Sequence, residues 1–295
     1  MESIKPHVLK SFKYFIEFIS VISLFCIFKL IGLKNASRLG GSIAILIGPL
    51  LRSKKIIKKN IEIGLGNITE DEKIKIINGM WSNIGRTVSE YIFLKNFRKL
   101  NYVKVNGLEH LNQIKKEGKP VIFYSGHFAN FELMKMELDK YNIKFAAIHR
   151  PLNNFFLESI KQNLRLKYVC KNYIIKSRVA IREIINKLND GYSIAIMVDQ
   201  RLGEGLSVPF FNQNAKTTTL PAQLALKFKC KLVPIHIERI NEINFEMTVY
   251  KPYEIKNTGN VNKDTYDITL EINQTIEKMI NKNPSQWLWS HNRWK

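Results

Sequence analysis

The stretch PVIFYSGHFANFELM, Pro120 to Met134, decides how the chain is read. Val121 to Tyr124 is an apolar run of β-branched and aromatic residues, the composition of a buried strand. Ser125-Gly126 ends it, His127 follows, and Glu132 stands where a helical pattern takes over. A strand that passes through a Gly-His turn into a helix is one half of a βα unit, so an α/β fold is expected.

The same alternation continues on both sides. Strands are expected at Tyr102–Val105, Phe145–Ile148, Ser193–Val198, Leu232–Ile237 and Phe245–Tyr250, besides Val121–Tyr124. Helices are expected near Asn130–Leu138, Phe155–Leu166, Val179–Leu188, Leu220–Phe228 and Ile268–Ile280. An earlier helix should run from Glu70 to about Leu94, opened by Thr69 with Glu72 three residues on, the pattern of a capping box. Gly191 falls where a left-handed residue closes a helix. Three of these apolar runs end in unusual polar groups: Gly126-His127, His149-Arg150 and Asp199-Gln200-Arg201. Ligands of open α/β sheets gather outside the carboxyl ends of the strands, so these ends mark a candidate site.

Within that site His127 is the natural proton acceptor near neutral pH. A carboxylate on the following helix, Glu132, is expected to accept from Nδ1–H and leave Nε2 for the substrate. No enzyme nucleophile is needed if an incoming hydroxyl attacks a thioester directly. Taken alone, a His and a Glu five residues apart arise often by chance.

Forty-six Lys and Arg against 25 Asp and Glu leave a net charge of +21, which calls for a polyanionic partner. From Tyr14 to Leu33 the chain is apolar except for Glu17 and Lys29, and GGSIAILIGPLL, Gly40 to Leu51, runs directly into RSKKIIKK. An apolar segment followed by a basic one suits attachment to anionic lipid, with the basic bulk on the cytoplasmic side. A buried core helix and a signal peptide compete with that reading. We therefore divide the chain into a membrane anchor, 1–35, and one α/β domain, 36–295. Cys26, Cys170 and Cys230 are isolated and odd in number, which points to reduced thiols. No two of the six histidines stand four apart, so no metal site is expected.

Beyond the His127/Glu132 pair, HRPLNN (149–154), MVDQR (197–201), VPFFNQNAKTTTLPAQLALKFKCKLVP (208–234) and QWLWSHNRWK (286–295) follow in order. With the anchor and its basic follow-on, this combination resembles the bacterial lipid A biosynthesis (late, secondary) acyltransferase family over nearly the whole chain. The chain departs from the family's pattern at Asn212, where Gly usually follows the paired Phe residues, and near Leu220-Pro221. The resemblance implies a mixed central sheet flanked by helices, similar to glycerolipid acyltransferases, behind an N-terminal hydrophobic membrane-anchoring helix. It implies acyl-acyl carrier protein as donor with no further cofactor, and a phosphorylated glycolipid, a lipid A precursor, as hydroxyl acceptor. Acyl carrier protein and anionic membrane lipids are the implied partners, and nucleic acid is not. The implied place is the cytoplasmic side of the bacterial inner membrane. His127 and Glu132 take the catalytic positions, and Arg150 matches a substrate-binding arginine, its forked guanidinium suited to phosphate. Asp199 and Gln200 are expected to position polar groups of the substrate or to hold the site loop together, and Arg201 to contact substrate. Two other readings stay open here: acylation of another glycolipid or a lysophospholipid, and a basic membrane- or nucleic-acid-binding protein without catalysis.

Overall fold

A computed structural model describes the backbone of residues 5–177 and 179–295, with side chains from residue 9; residues 1–4 of the expected anchor lie outside the described residues. The chain opens on four helices: α1 (Lys5–Leu51), α2 (Lys54–Leu65), α3 (Glu70–Glu90) and, after a short 3-10 turn at Tyr91–Phe93, α4 (Leu94–Lys99). Gly32, at φ 78° and ψ 164°, breaks α1 into two helical halves. The expected anchor boundary at 35/36 therefore falls inside α1, three residues beyond that break. The reciprocal Thr69/Glu72 capping box opens α3.

Alternating elements follow: β1 (Val103–Asn106), α5 (Leu108–Glu117), β2 (Ile122–Ser125), α6 (Glu132–Lys140), β3 (Phe145–His149), α7 (Phe155–Tyr168), β4 (Tyr173–Ile175), α8 (Ala180–Asn189) and β5 (Ser193–Met197). A hairpin of β6 (Leu206–Phe210) and β7 (Gln213–Thr217) precedes α9 (Leu220–Phe228), β8 (Leu232–Asn241), β9 (Asn244–Val249) and α10 (Val261–Lys282). Among the described residues one sheet holds seven strands in the order β1-β9-β8-β2-β5-β3-β4. Its pairs are parallel except β8 with β9, so the sheet is mixed, as expected. All four residues of β2 are buried, which is why this strand reads as a continuous apolar run rather than an alternation.

Two features of this fold set the site. First, β2, β5 and β3 are parallel neighbours, so the three polar strand ends seen in the sequence share one edge. Second, Ser125 pairs with Met197 in register, which puts His127 and Asp199 level, each two residues past a paired position. On the other side, α3 packs on the second half of α1 through small residues. A side chain at Gly85 would collide with the Gly40 carbonyl oxygen, and one at Gly48 with the Trp81 ring.

Candidate active site

His127 stands in the turn between β2 and α6, and the turn is built to hold it. A Cβ at Gly126 would come within 2.7 Å of the Phe128 ring and 3.3 Å of the Asp199 Cβ, so only glycine fits before the histidine. Ala129 takes φ 42°, a left-handed conformation that a residue with a Cβ adopts only under constraint. The constraint is visible: Ala129 N–H donates to the Gln286 carbonyl at 3.1 Å. Its own carbonyl accepts from Asn83 Nδ2 at 3.2 Å and Thr87 Oγ1 at 3.1 Å, both on α3.

Asp199 reaches the histidine twice. Its Oδ1 lies 2.8 Å from His127 Nδ1, and its Oδ2 accepts the His127 backbone N–H at 2.9 Å. The Trp287 indole N–H donates to the same Oδ2 at 2.9 Å. Burial by itself pushes this carboxyl up, but the His127 ring and backbone and the Trp287 N–H outweigh it and lower the pKa to about 2. An ionised carboxylate only accepts, so the proton of the ring sits on Nδ1 and Nε2 is left as a base. The ring lines a mostly apolar cavity of about 250 Å³, walled among others by Met80, Ile84 and Val88 of α3 and by Tyr91, Phe131 and Leu288.

The carboxylate expected to orient His127 was Glu132; in the structure Asp199 holds Nδ1 instead, and Glu132 is bonded to other groups. Glu132 is fully buried, opens α6, and is bonded to groups other than the histidine. Its Oε1 accepts from Tyr91 Oη at 2.5 Å and from Arg165 Nε at 3.1 Å, with Arg165 Nη2 closing a fork, while Oε2 lies 2.7 Å from Lys135 Nζ. Burial alone would raise this carboxyl, yet the Lys135 and Arg165 charges hold it well below the ordinary range. The physical reason for the exchange is the register of β2 and β5: a residue two past β5 is level with His127, whereas α6 turns its first residue inward.

The remaining expected residues separate. Asp199 has both oxygens bonded within the protein, by the His127 ring and backbone and the Trp287 indole, which is the loop-holding alternative. Gln200 is exposed and part of Arg201 is too. Arg201 N–H donates to His291 Nε2 at 2.9 Å and its Nε to the Lys295 carbonyl at 3.1 Å. Burial pushes His291 down and keeps it a neutral acceptor. Arg150 is exposed just past β3. The arginine that meets Glu132 is Arg165 on α7, which the sequence reading missed, as it missed Tyr91 and Trp287. Arg165 carried no signal: it sits in the last turn of α7 beside Lys167, where cations are ordinary.

A family model described as bacterial lipid A biosynthesis acyltransferase matches residues 2–295. The chain belongs to that family. Among its curated relatives, the lipid A biosynthesis palmitoleoyltransferase of Escherichia coli (strain K12) is 25% identical over 264 residues, covering 87% of this chain and 84% of the relative. The lipid A biosynthesis lauroyltransferase of the same organism is 24% identical over 250 residues, covering 83% and 79%. A lipid A biosynthesis acyltransferase of Haemophilus influenzae (strain ATCC 51907 / DSM 11121 / KW20 / Rd) is 20% identical over 258 residues, covering 85% and 79%. As a lipid A acyltransferase the chain is an enzyme, which sets aside the reading of a basic protein without catalysis. It is also a membrane-associated one, and Leu9–Leu51 of α1 is long and apolar enough to cross a bilayer.

Proposed function

We propose that this enzyme moves a fatty acyl chain from acyl-acyl carrier protein to a hydroxyl of a phosphorylated lipid A precursor, at the cytoplasmic face of the inner membrane. His127 Nε2 takes the proton of the acceptor hydroxyl as its oxygen attacks the thioester carbonyl. When the carbonyl re-forms, the carbon–sulfur bond breaks and the leaving thiolate takes that proton back. Asp199 keeps the ring in the required tautomer and stabilises the imidazolium between the two transfers. The acyl chain lies in the apolar cavity beside the ring. Arg150, Gln200 and Arg201, exposed around the carboxyl edge of the sheet, meet the phosphate and sugar groups of the acceptor. Glu132 supports this site from behind as the buried anion of Tyr91, Lys135 and Arg165. The carrier protein and the anionic leaflet are both drawn to the excess of positive charge.

The observation that carries the reading is a histidine held at Nδ1 by a fully buried carboxylate and opening onto an apolar cavity. Thioester turnover in membranes tests it, with His127→Ala and Asp199→Asn compared with the wild type. Each substitution should slow the chemical step at least about a hundredfold, the scale of a positioned general base. Near-normal rates in both folded variants would remove His127 from the reaction.

A further inference from the structure

The first half of α1 does not leave the catalytic domain. Tyr14, Phe18, Val21, Leu24, Phe25 and Phe28 recur three and four apart and are partly or fully buried. At one end Asn154 Nδ2 donates to the Tyr14 carbonyl at 2.9 Å and to Glu17 Oε2 at 3.1 Å. The Phe156 ring packs 5.4 Å from Phe18 and 5.8 Å from Phe15. Fifteen residues further on, about 22 Å along the helix, Lys29 stands over the Phe93 ring. Phe12, Phe15, Ile16, Ile19, Ile27 and Leu30 are exposed on the rest of this half, and Phe15 joins that exposed surface to Phe156. Any lipid that covers this face therefore also reaches the part of the domain stitched to it.

That part is the turn from β3 into α7. Leu152 is 46% exposed and Phe155 is 54% exposed, and Phe155 lies edge-on to the Tyr14 ring. The Asn154 side chain between them has no free polar atom: its Oδ1 caps α7 by accepting from Phe156 and Leu157 N–H. Glu17, the acid inside the apolar segment, accepts from Asn154 and faces Lys13 at 3.9 Å, its side chain still 41% exposed. The junction thus presents Leu152 and Phe155 outward with Asn153 exposed between them, while the Asn154 side chain is fully bonded on the inner side. Arg150 is exposed at its start, and Lys10 and Lys13 flank it on α1.

We propose that Leu152–Phe156 is a second membrane contact, with Leu152 and Phe155 in the acyl layer beside α1 and Arg150 at the level of the lipid phosphates. The partner is bilayer lipid rather than a second copy of the chain, because the patch continues the exposed apolar face of α1 and is rimmed by cations that match anionic headgroups. The inference is independent of the His127–Asp199 chemistry and holds whether α1 spans the bilayer or lies along it.

Full-length protein reconstituted in phosphatidylethanolamine–phosphatidylglycerol vesicles tests it. One exposed cysteine at a time, Ile19→Cys, Leu152→Cys, Phe155→Cys or Val261→Cys, in a Cys26→Ser background that keeps the buried Cys170 and Cys230, would carry an environment-sensitive fluorophore, with spin-labelled lipids as quenchers. Val261 is exposed at the first residue of α10, on an element that contributes nothing to the patch. The expected result is that the labels at 152 and 155 lose their emission as fully as the one at 19, while the label at 261 keeps it. Emission at 152 and 155 that survives like that at 261, with 19 quenched, overturns the proposal. So does disulfide cross-linking of 155 between two copies. Lack of quenching at 19 would overturn it as well, by removing α1 from the lipid.

Discussion

Both oxygens of Asp199 are committed to His127 and Trp287, and this makes the indole a positioning group for the histidine. A hydrogen bond to a charged partner contributes about 1.5–3 kcal/mol, so its loss in Trp287→Phe should lower kcat on the order of tenfold or more. KM should stay close to the wild-type value, because the indole N–H donates to Asp199 and not to substrate. Equal changes in both constants would assign Trp287 to substrate binding instead. The depressed Asp199 carboxyl also has a stability consequence. Its contribution is complete above the ordinary value of 3.8 and is lost as pH falls toward about 2. Glu132 presents the opposite case, an anion buried with two cations. Removing its charge in Glu132→Gln leaves Arg165 and Lys135 without their counter-ion and should destabilise the fold by about 3–5 kcal/mol. Unfolding in denaturant would measure this, and Arg165→Met added to the same chain should restore part of the loss. His127 was legible in the sequence because a Gly-His turn interrupts an apolar run. Its partner was not, because spacing along the chain favours Glu132 while pairing between strands 72 residues apart selects Asp199.

Among the elements, α3 combines three tasks: its small residues seat α1, Met80, Ile84 and Val88 wall the cavity, and Asn83 and Thr87 hold the Ala129 carbonyl. Gly85→Leu forces a side chain into the Gly40 backbone, and overpacking of this kind destabilises by about 1–3 kcal/mol. Lowered thermal stability in detergent is the expected readout, with turnover falling too because the cavity wall moves. An unchanged midpoint would mean that α1 and α3 separate without loss. The helices and long strands were readable from their periodicity, often within two residues of their ends. The β6–β7 hairpin was not, because QNAKT exposes its alternate residues and has no β-branched run. Its turn explains the departure at Asn212: Phe211 and Asn212 sit at φ 52° and 59°, where asparagine is the usual substitute for glycine. The basic segment after α1 was read as charge alone. It proves to be α2, which buries Ile57, Asn60 and Ile61 while its lysines face outward. Asn60 Nδ2 lies 2.7 Å from both the Trp289 and His291 carbonyls, a long-range tie that no local pattern announces.

Over the whole molecule, stability should depend on pH through His236. It is buried on β8 against the Phe128 ring, and burial, with the Lys282 charge adding to it, pushes its pKa down from 6.5 to about 3. The unfolded chain binds a proton there below about pH 6.5, whereas the folded chain does not until pH 3. Stability is therefore complete above pH 6.5 and declines as pH falls toward 3. Thermal unfolding across that range should show a steeper decline in the wild type than in His236→Leu; parallel curves would mean that the imidazole is solvated.

The interlock of α1 with α3 bears on how a working form of this enzyme is prepared. Cutting the chain after Leu51 to obtain a water-soluble fragment would strip away more than a tether. It would bare the glycine-lined back of the helix whose front walls the cavity, and α3 would be free to tilt. Replacing α1 with an unrelated apolar helix fails for the same reason, since a bulky residue at position 40 or 48 cannot approach α3 as closely. Detergent or nanodisc preparations that keep α1 intact are the ones in which the cavity retains its shape.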